Sequence, residues 1–121
     1  MRLIMLVLNM FPVWWPFLVA SYKRNHPSVE LLVVHANVSR PALEAPHVTY
    51  AELSVAALIE LFAVQLGIAP ERVGAKLTSA KGLSDLKPFY GKVFERWLPE
   101  GEGGVSHWGW GQLVEGAVHP L

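Results

Sequence analysis

The chain has 121 residues, of which 52% are hydrophobic and 17% are charged. This length accommodates one compact domain but not two, and the composition excludes an intrinsically disordered chain. Ten basic and ten acidic residues give a formal net charge of zero, so the sequence predicts no nucleic-acid partner. The absence of cysteine excludes disulfides, thiol nucleophiles and cysteine-ligated zinc or iron–sulfur centres.

The first apolar segment, residues 3–20, contains no charged residue and is long enough for a signal anchor. Asn9, Pro12 and Pro16 argue against insertion, because they would leave backbone or amide groups unpaired in hydrocarbon. We therefore predict a buried strand over Leu3–Leu8, a turn, and a helix of about ten residues. A membrane anchor formed by residues 3–20 remains the alternative.

The segment after this turn supplies the next predicted elements. The first helix places four apolar or aromatic side chains on one face, and basic residues mark its end. Val29–His35 is short, apolar and β-branched, which is typical of a buried strand. A loop over residues 36–46 leads to a third short strand, His47–Tyr50. The face of the first helix consists of Trp14, Phe17, Leu18 and Tyr22.

Two more helices are predicted from caps and apolar spacing. Thr49 and Glu52 have the spacing of a capping box, which would open a helix from about Ala51 to Leu66, and Gly67 ends it. A third helix follows Pro88, with an apolar stripe at helical spacing. That stripe consists of Phe89, Tyr90, Val93, Phe94, Trp97 and Leu98.

The predicted order of elements indicates the fold class. A strand-like run over residues 105–115 follows the third helix, so strands alternate with helices along the chain. This alternation predicts an α/β fold with a short, mainly parallel sheet of about four strands, flanked by three helices. In such sheets, ligands bind beyond the carboxyl ends of the strands.

Four segments, residues 11–18, 25–34, 82–91 and 107–114, have a characteristic order and spacing. Together they resemble an uncharacterised glycosyltransferase-like family of the GT-A, nucleotide-diphospho-sugar transferase type. The resemblance covers nearly the whole chain and implies a partial GT-A (Rossmann-like) fold. We therefore expect residues 1–121 to form a single, incomplete sugar-nucleotide-binding domain. In the third segment Leu83, Asp85, Lys87, Pro88, Tyr90 and Gly91 match the family pattern, whereas Gly82 and Ser84 depart from it.

The fourth segment departs from the family at its metal motif. Where the family has Trp-Gly-x-x-Asp-x-Asp, this chain has Trp108-Gly-Trp-Gly-Gln112-Leu-Val114. The resemblance implies a divalent metal, Mn²⁺ or Mg²⁺, which the two carboxylates would hold against the diphosphate of the donor. Gln112 offers one neutral oxygen and Val114 offers none. The sequence therefore predicts no metal site and no certain cofactor.

Six residues are candidates for binding a nucleotide-diphospho-sugar. Three of them fall at predicted strand ends, where a nucleobase would lie, although ordinary turn residues have the same pattern. Asp85 and Lys87 precede the third predicted helix, where they would hold a ribose or base and a phosphate; the simpler interpretation is a helix cap and a solvated lysine. The six candidates are Asn9, Phe11, Asn37, Asp85, Lys87 and Gln112.

These observations predict a truncated or degenerate glycosyltransferase-like domain that keeps the sugar-nucleotide-binding half. The sequence assigns no catalytic residue and leaves open whether the chain is an enzyme. A non-catalytic interaction module that self-associates through an exposed sheet edge is the alternative from a different class. The residues favour a soluble cytoplasmic protein, with a membrane-anchored or secretory location as the alternative.

Overall fold

The computed structural model describes residues 2–97 and the backbone of residues 108–111, 113–114 and 117–118. Strands and helices alternate at first: β1 (Arg2–Leu8), α1 (Trp15–Asn25), β2 (Glu30–Ala36), β3 (Val48–Leu53) and α2 (Val55–Leu66). Short helices follow: α3 (Pro70–Leu77), α4 (Ala80–Leu86), a 3₁₀ turn (Lys87–Phe89), α5 (Tyr90–Val93) and a second 3₁₀ turn (Glu95–Trp97). The remaining described segments are β4 (Trp108–Gly111), β5 (Leu113–Val114) and β6 (Ala117–Val118).

The main sheet is parallel. β1 pairs with β2 from Arg2 opposite Glu30 to Leu8 opposite Ala36, and β2 pairs with β3. Residues 2–97 thus contribute three parallel strands rather than the predicted four, and four helices of seven residues or more rather than three. The short β4 follows this continuous stretch and pairs in parallel with the other edge of β1. The mixed α/β class with a parallel sheet is confirmed.

The strands β1 and β2 are buried on both faces, which explains the apolar runs over residues 3–8 and 31–34. Alternate side chains point to opposite faces. One set packs against α2–α5 and includes Ile4, Leu6, Leu32 and Val34. The other set packs against α1 and includes Leu3, Met5, Val7, Leu31 and Val33.

Residues 3–20 form most of β1, a loop and the first half of α1. Among the described residues, no helix is both long and apolar enough to cross a membrane. Pro16 lies in the first turn of α1, as predicted, and Lys23 and Arg24 lie in its last turn. Only half of the predicted apolar face of this helix packs on the sheet.

The side chains of α1 that are buried are Trp15 and Val19, whereas Phe17 is 78% exposed. The orientation of the helix is fixed by Trp15, whose Nε1 donates a hydrogen bond to Tyr50 Oη at 3.0 Å. Trp14 is the N-cap residue and precedes the helix. Leu18 and Tyr22 are half-buried and pack against the same core as Trp15 and Val19, so the predicted face was right for these two residues and wrong for Trp14 and Phe17.

The junction of β3 and α2 also differs from the prediction. Thr49 and Glu52 lie within β3, so they do not form a capping box, because pairing with β2 extends the strand to Leu53. Ser54 is the actual N-cap, and its hydroxyl accepts a hydrogen bond from Ala57 N at 3.0 Å. Gly67 ends α2 in the left-handed conformation, as predicted.

The segment between α2 and the end of the continuous chain is more broken than predicted. The sequence interpretation missed α3 and α4, and the predicted third helix is divided into two 3₁₀ turns and the four-residue α5. Pro88 lies inside the first of these turns. Gly82 allows α4 to pack closely on α3, since a Cβ at this position would clash with the backbone of Lys76.

Candidate functional site

Two asparagines meet at the carboxyl edge of the sheet. Asn9 directly follows β1 and Asn37 directly follows β2, and both adopt a left-handed backbone conformation, with φ of 71° and 58°. Asparagine tolerates this conformation better than most residues. Asn37 Nδ2 donates to Asn9 Oδ1 at 2.8 Å, and Asn9 N donates to the carbonyl of Ala36 at 3.0 Å. Two of the predicted site residues are therefore in direct contact.

The Asn9–Asn37 pair also presents hydrogen-bonding groups to solvent. Both residues are exposed. Among the described residues, the amide NH₂ group of Asn9 and the amide oxygen of Asn37 have no hydrogen-bond partner. The pair thus offers an amide NH₂ group and an amide oxygen to solvent, just beyond the ends of two adjacent strands.

Phe11, the third predicted residue at a strand end, lies in an aromatic cluster beside this pair. Its ring centroid is 5.1 Å from that of Trp15, 5.7 Å from His35 and 6.2 Å from Tyr50. The edge-on geometry with Trp15 and Tyr50 is a favourable arrangement of aromatic rings. Phe11 is half-buried. It supports the loop after β1 and leaves part of its surface open.

His35 and Glu52, which the sequence interpretation did not select, lie opposite each other in the register of β2 and β3. His35 is buried, and its Nδ1 is 2.8 Å from the carbonyl of Val38. A carbonyl only accepts, so Nδ1 carries the proton. The exposed carboxylate of Glu52 lies 3.9 Å from the same nitrogen. Strand alternation places both residues on the α1 face, but only the register shows that they meet.

An open groove of about 660 Å³ adjoins the asparagine pair, at the start of α2. Its polar lining consists of Asn37, Ser39, Glu52 and Ser54. A second depression, of about 490 Å³, lies beside β3 and is lined in part by Arg40, Glu44 and Tyr50. The cation in this depression, Arg40, already has partners within the chain. Arg40 pairs with Glu44 at 3.0 Å and stacks over the ring of Tyr50 at 5.2 Å.

The structure separates Asp85 and Lys87 from the other candidates. Asp85 lies inside α4, and its carboxylate pairs with Lys76 Nζ at 3.2 Å. This differs from the prediction, which placed Asp85 before a helix or at its cap. Lys87 begins the 3₁₀ turn, is 8% exposed rather than solvated, and has its pKa lowered by burial. Among the described residues, no hydrogen bond, ion pair or ring contact connects either residue to Asn9, Phe11 or Asn37.

The remaining candidate, Gln112, lies outside the described residues. Val114 falls in β5, of which only the backbone is described. Within the described part of the chain, no group of three or more histidine, aspartate or glutamate side chains could hold a metal ion. The carboxyl edge can therefore offer amides, hydroxyls, one carboxylate and an aromatic ring to a polar ligand.

Comparison of the chain with protein-family models, curated proteins and solved structures gave no match. The GT-A resemblance therefore rests on the sequence segments alone. The geometry adds the Asn9–Asn37 pair and its surroundings, which the segments did not reveal.

Proposed function

We propose that this chain is the sugar-nucleotide-binding half of a glycosyltransferase-like domain, and that it binds the nucleoside of the donor at the carboxyl ends of β1 and β2. The observation that carries this proposal is the hydrogen bond between Asn9 and Asn37. It joins two polar residues that follow adjacent parallel strands. The resemblance of residues 82–91 and 107–114 to the GT-A type supplies the class of ligand.

The order of the strands supports this location. The sheet order is β3-β2-β1-β4, so the chain proceeds outward in one direction from β1 and returns to pair on its other side. Ligands of parallel α/β sheets commonly bind where the strand order reverses in this way, outside the carboxyl ends. Asn9 lies at the carboxyl end of the strand at which the reversal occurs.

The chemistry of the edge suits a nucleoside. Uracil and guanine each present a hydrogen-bond donor next to an acceptor, which complements the free acceptor of Asn37 and the free donor of Asn9. The half-buried ring of Phe11 offers an apolar surface for the base. Glu52 and Ser54, in the adjoining groove, supply oxygen atoms that can accept hydrogen bonds from ribose hydroxyls.

The same edge is poorly suited to a metal-bound diphosphate. Arg40 is already paired with Glu44, and Glu52 adds a negative charge to the groove. The position of the family's metal motif holds Gln112 and Val114 rather than two carboxylates, so its residues do not fit the divalent metal that the resemblance implies. We therefore propose nucleoside recognition without sugar transfer.

Isothermal titration with uridine diphosphate and guanosine diphosphate, each with and without Mn²⁺, tests the proposal. We expect saturable binding of one of them, with little strengthening by Mn²⁺, and similar affinity for the corresponding nucleoside. Asn9→Gly keeps the left-handed backbone accessible but removes the amide, and should weaken binding by about tenfold. The proposal is contradicted if neither uridine diphosphate nor guanosine diphosphate binds saturably.

The matched control is Asn25→Gly. Asn25 is an exposed asparagine at the end of α1, where its Nδ2 donates to Ser21 Oγ at 3.1 Å, away from the carboxyl edge. Its replacement should leave nucleotide affinity unchanged. Equal weakening by the two variants would mean that neither amide acts in recognition.

Self-association through β3 is the second candidate function. β3 is the outer strand of the sheet and pairs with β2 alone among the described strands. A free strand edge can pair with another chain. Sedimentation velocity over a range of protein concentrations tests this candidate, and a monomer at every concentration would exclude it.

A further inference from the structure

Three large apolar side chains project into solvent near the start of α1. Met10 and Val13, in the preceding loop, are 73% and 96% exposed, and Phe17, in the first turns of the helix, is 78% exposed. Single exposed apolar residues are common, but three within eight residues form a local patch. We call these three residues the apolar tip.

The same helix ends in two free cations. Lys23 and Arg24 are exposed in the last turn of α1. Among the described residues they have no ion-pair partner, whereas Arg2, Arg40 and Lys76 are each paired with a carboxylate. Arg24 follows Phe17 by two helical turns, so the two side chains share one side of the helix.

No acidic residue interrupts this surface. The first acidic residue of the chain is Glu30, so the loop after β1 and all of α1 contain none. On the neighbouring loop, Arg40 and Glu44 neutralise each other. The exposed surface of α1 is therefore apolar at one end and positively charged at the other.

We propose that α1 and the loop before it dock on an anionic phospholipid surface. The apolar tip enters the headgroup region, and Lys23 and Arg24 contact lipid phosphates. The helix lies on the surface and does not span it, since Trp15 and Val19 hold its opposite side against the sheet. This inference is independent of the proposed nucleoside site.

Charge favours a lipid over a second copy of this chain. A symmetric dimer through α1 would set the same surface against itself, and no carboxylate on the helix could compensate its two cations. The two grooves described above are lined by other residues, so neither offers the apolar tip a pocket shaped for a peptide. A fluid bilayer needs no such shape, and its anionic headgroups supply the missing counter-charge.

Flotation of the full chain with lipid vesicles tests the proposal. We expect binding to vesicles of phosphatidylcholine mixed with phosphatidylglycerol, less binding to pure phosphatidylcholine, and release by high salt. The double variant Lys23→Gln/Arg24→Gln should bind the mixed vesicles about thirtyfold more weakly, since each of the two cations near an anionic surface adds about one kcal/mol. The double variant Met10→Ser/Phe17→Ser should lose binding to a similar extent.

Two controls match these variants by residue type and exposure. Val64→Ser changes an apolar side chain on α2 that is 71% exposed, and Lys81→Gln removes an exposed cation on α4. Neither should alter vesicle binding, and thermal unfolding checks that all variants keep the fold. Failure of the parent chain to float with anionic vesicles would overturn the proposal. Equal loss of vesicle binding in the two control variants would also overturn it. The same holds if the parent chain binds no lipid but forms a dimer that Met10→Ser/Phe17→Ser dissociates.

Discussion

The two faces of the parallel sheet are covered in different ways. On one face, α2 to α5 enclose a packed aromatic group in which Phe62 lies 5.6 Å from Phe94 and 6.2 Å from Tyr90 between ring centroids. On the other face, the described elements that cover the strands are one helix, α1, and the loop over residues 37–47. That face holds the polar residues His35 and Glu52 and leaves the apolar tip in water.

This difference indicates that folding stability and ligand recognition depend on opposite sides of the same sheet. Phe62 and Phe94 are fully buried and have no polar atoms, so they act through packing alone. The α1 face also has a packed apolar core, to which it adds the hydrogen bond from Trp15 to Tyr50 and the polar residues His35 and Glu52. Substitutions on the two faces should therefore separate loss of fold from loss of binding.

The largest effect is expected for Phe62→Ala. The substitution removes a fully buried ring of the aromatic group and leaves a cavity, which should lower the free energy of unfolding by about 3–5 kcal/mol. Urea unfolding followed by circular dichroism measures this loss. Phe62→Leu, which keeps most of the volume, should cost less; equal stability of Phe62→Ala and the parent chain would mean that this face does not dominate stability.

The next effect concerns Tyr90 at high pH. Burial raises the pKa of the Tyr90 hydroxyl above its usual range. Above about pH 10, the unfolded chain loses this proton while the folded chain keeps it, so stability should fall by about 1.4 kcal/mol per pH unit from this group. Unfolding at a series of pH values should show a shallower fall for Tyr90→Phe than for the parent chain.

Two other groups shape the same pH profile. Burial also raises the pKa of Tyr22, so Tyr90→Phe should reduce the fall at high pH without abolishing it. Burial lowers the pKa of Lys87, so the unfolded chain binds more protons at this residue and stability rises with pH up to the usual lysine range. Lys87→Met should remove that rise. An identical profile for Tyr90→Phe and the parent chain would contradict the assigned burial effect.

A smaller effect is expected on the α1 face for the hydrogen bond from Trp15 to Tyr50. Trp15→Phe removes the donor and Tyr50→Phe removes the acceptor. A double-mutant cycle with both substitutions should give a coupling free energy of about 1 kcal/mol in urea unfolding. Additive effects of the two substitutions would show that the bond does not hold α1 in place.

The smallest effect on stability is expected for Phe17→Ser. Its ring is 78% exposed, so the free energy of unfolding should change by no more than about 0.5 kcal/mol. Comparison of this result with that of Phe62→Ala gives the clearest contrast between an aromatic residue in the core and one that is exposed at the surface. If Phe17→Ser lowered the free energy of unfolding by about 2 kcal/mol or more, which is typical of one buried apolar side chain, this contrast with Phe62 would be contradicted.

The sequence predicted those elements that local patterns specify. Apolar runs located β1 and β2, Pro16 located the start of α1, and Gly67 located the end of α2. It failed where tertiary contacts decide. The pairing of β3 with β2 overrides the capping-box spacing of Thr49 and Glu52, and the contact of Trp15 with Tyr50 decides which side of α1 is buried.

Local signals for the missed helices were present. Pro70 starts α3, Val73 and Leu77 lie on its buried side, and Ser79 caps α4 by accepting from Gly82 N at 3.0 Å.

The candidate site was predicted only in part. Polar residues after strands pointed to Asn9 and Asn37, whereas the meeting of His35 with Glu52 depends on strand register.

The placement of β4 on the open side of β1 has a consequence for biosynthesis. The other neighbour of β1 is β2, which leaves the ribosome soon afterwards, but β4 emerges only after all the helices have been made. Until then, one backbone edge of a strand that is apolar from Leu3 to Leu8 stays uncovered in the nascent chain. Slow translation of the intervening segment should therefore increase aggregation, and chaperones that shield apolar strands should suppress it.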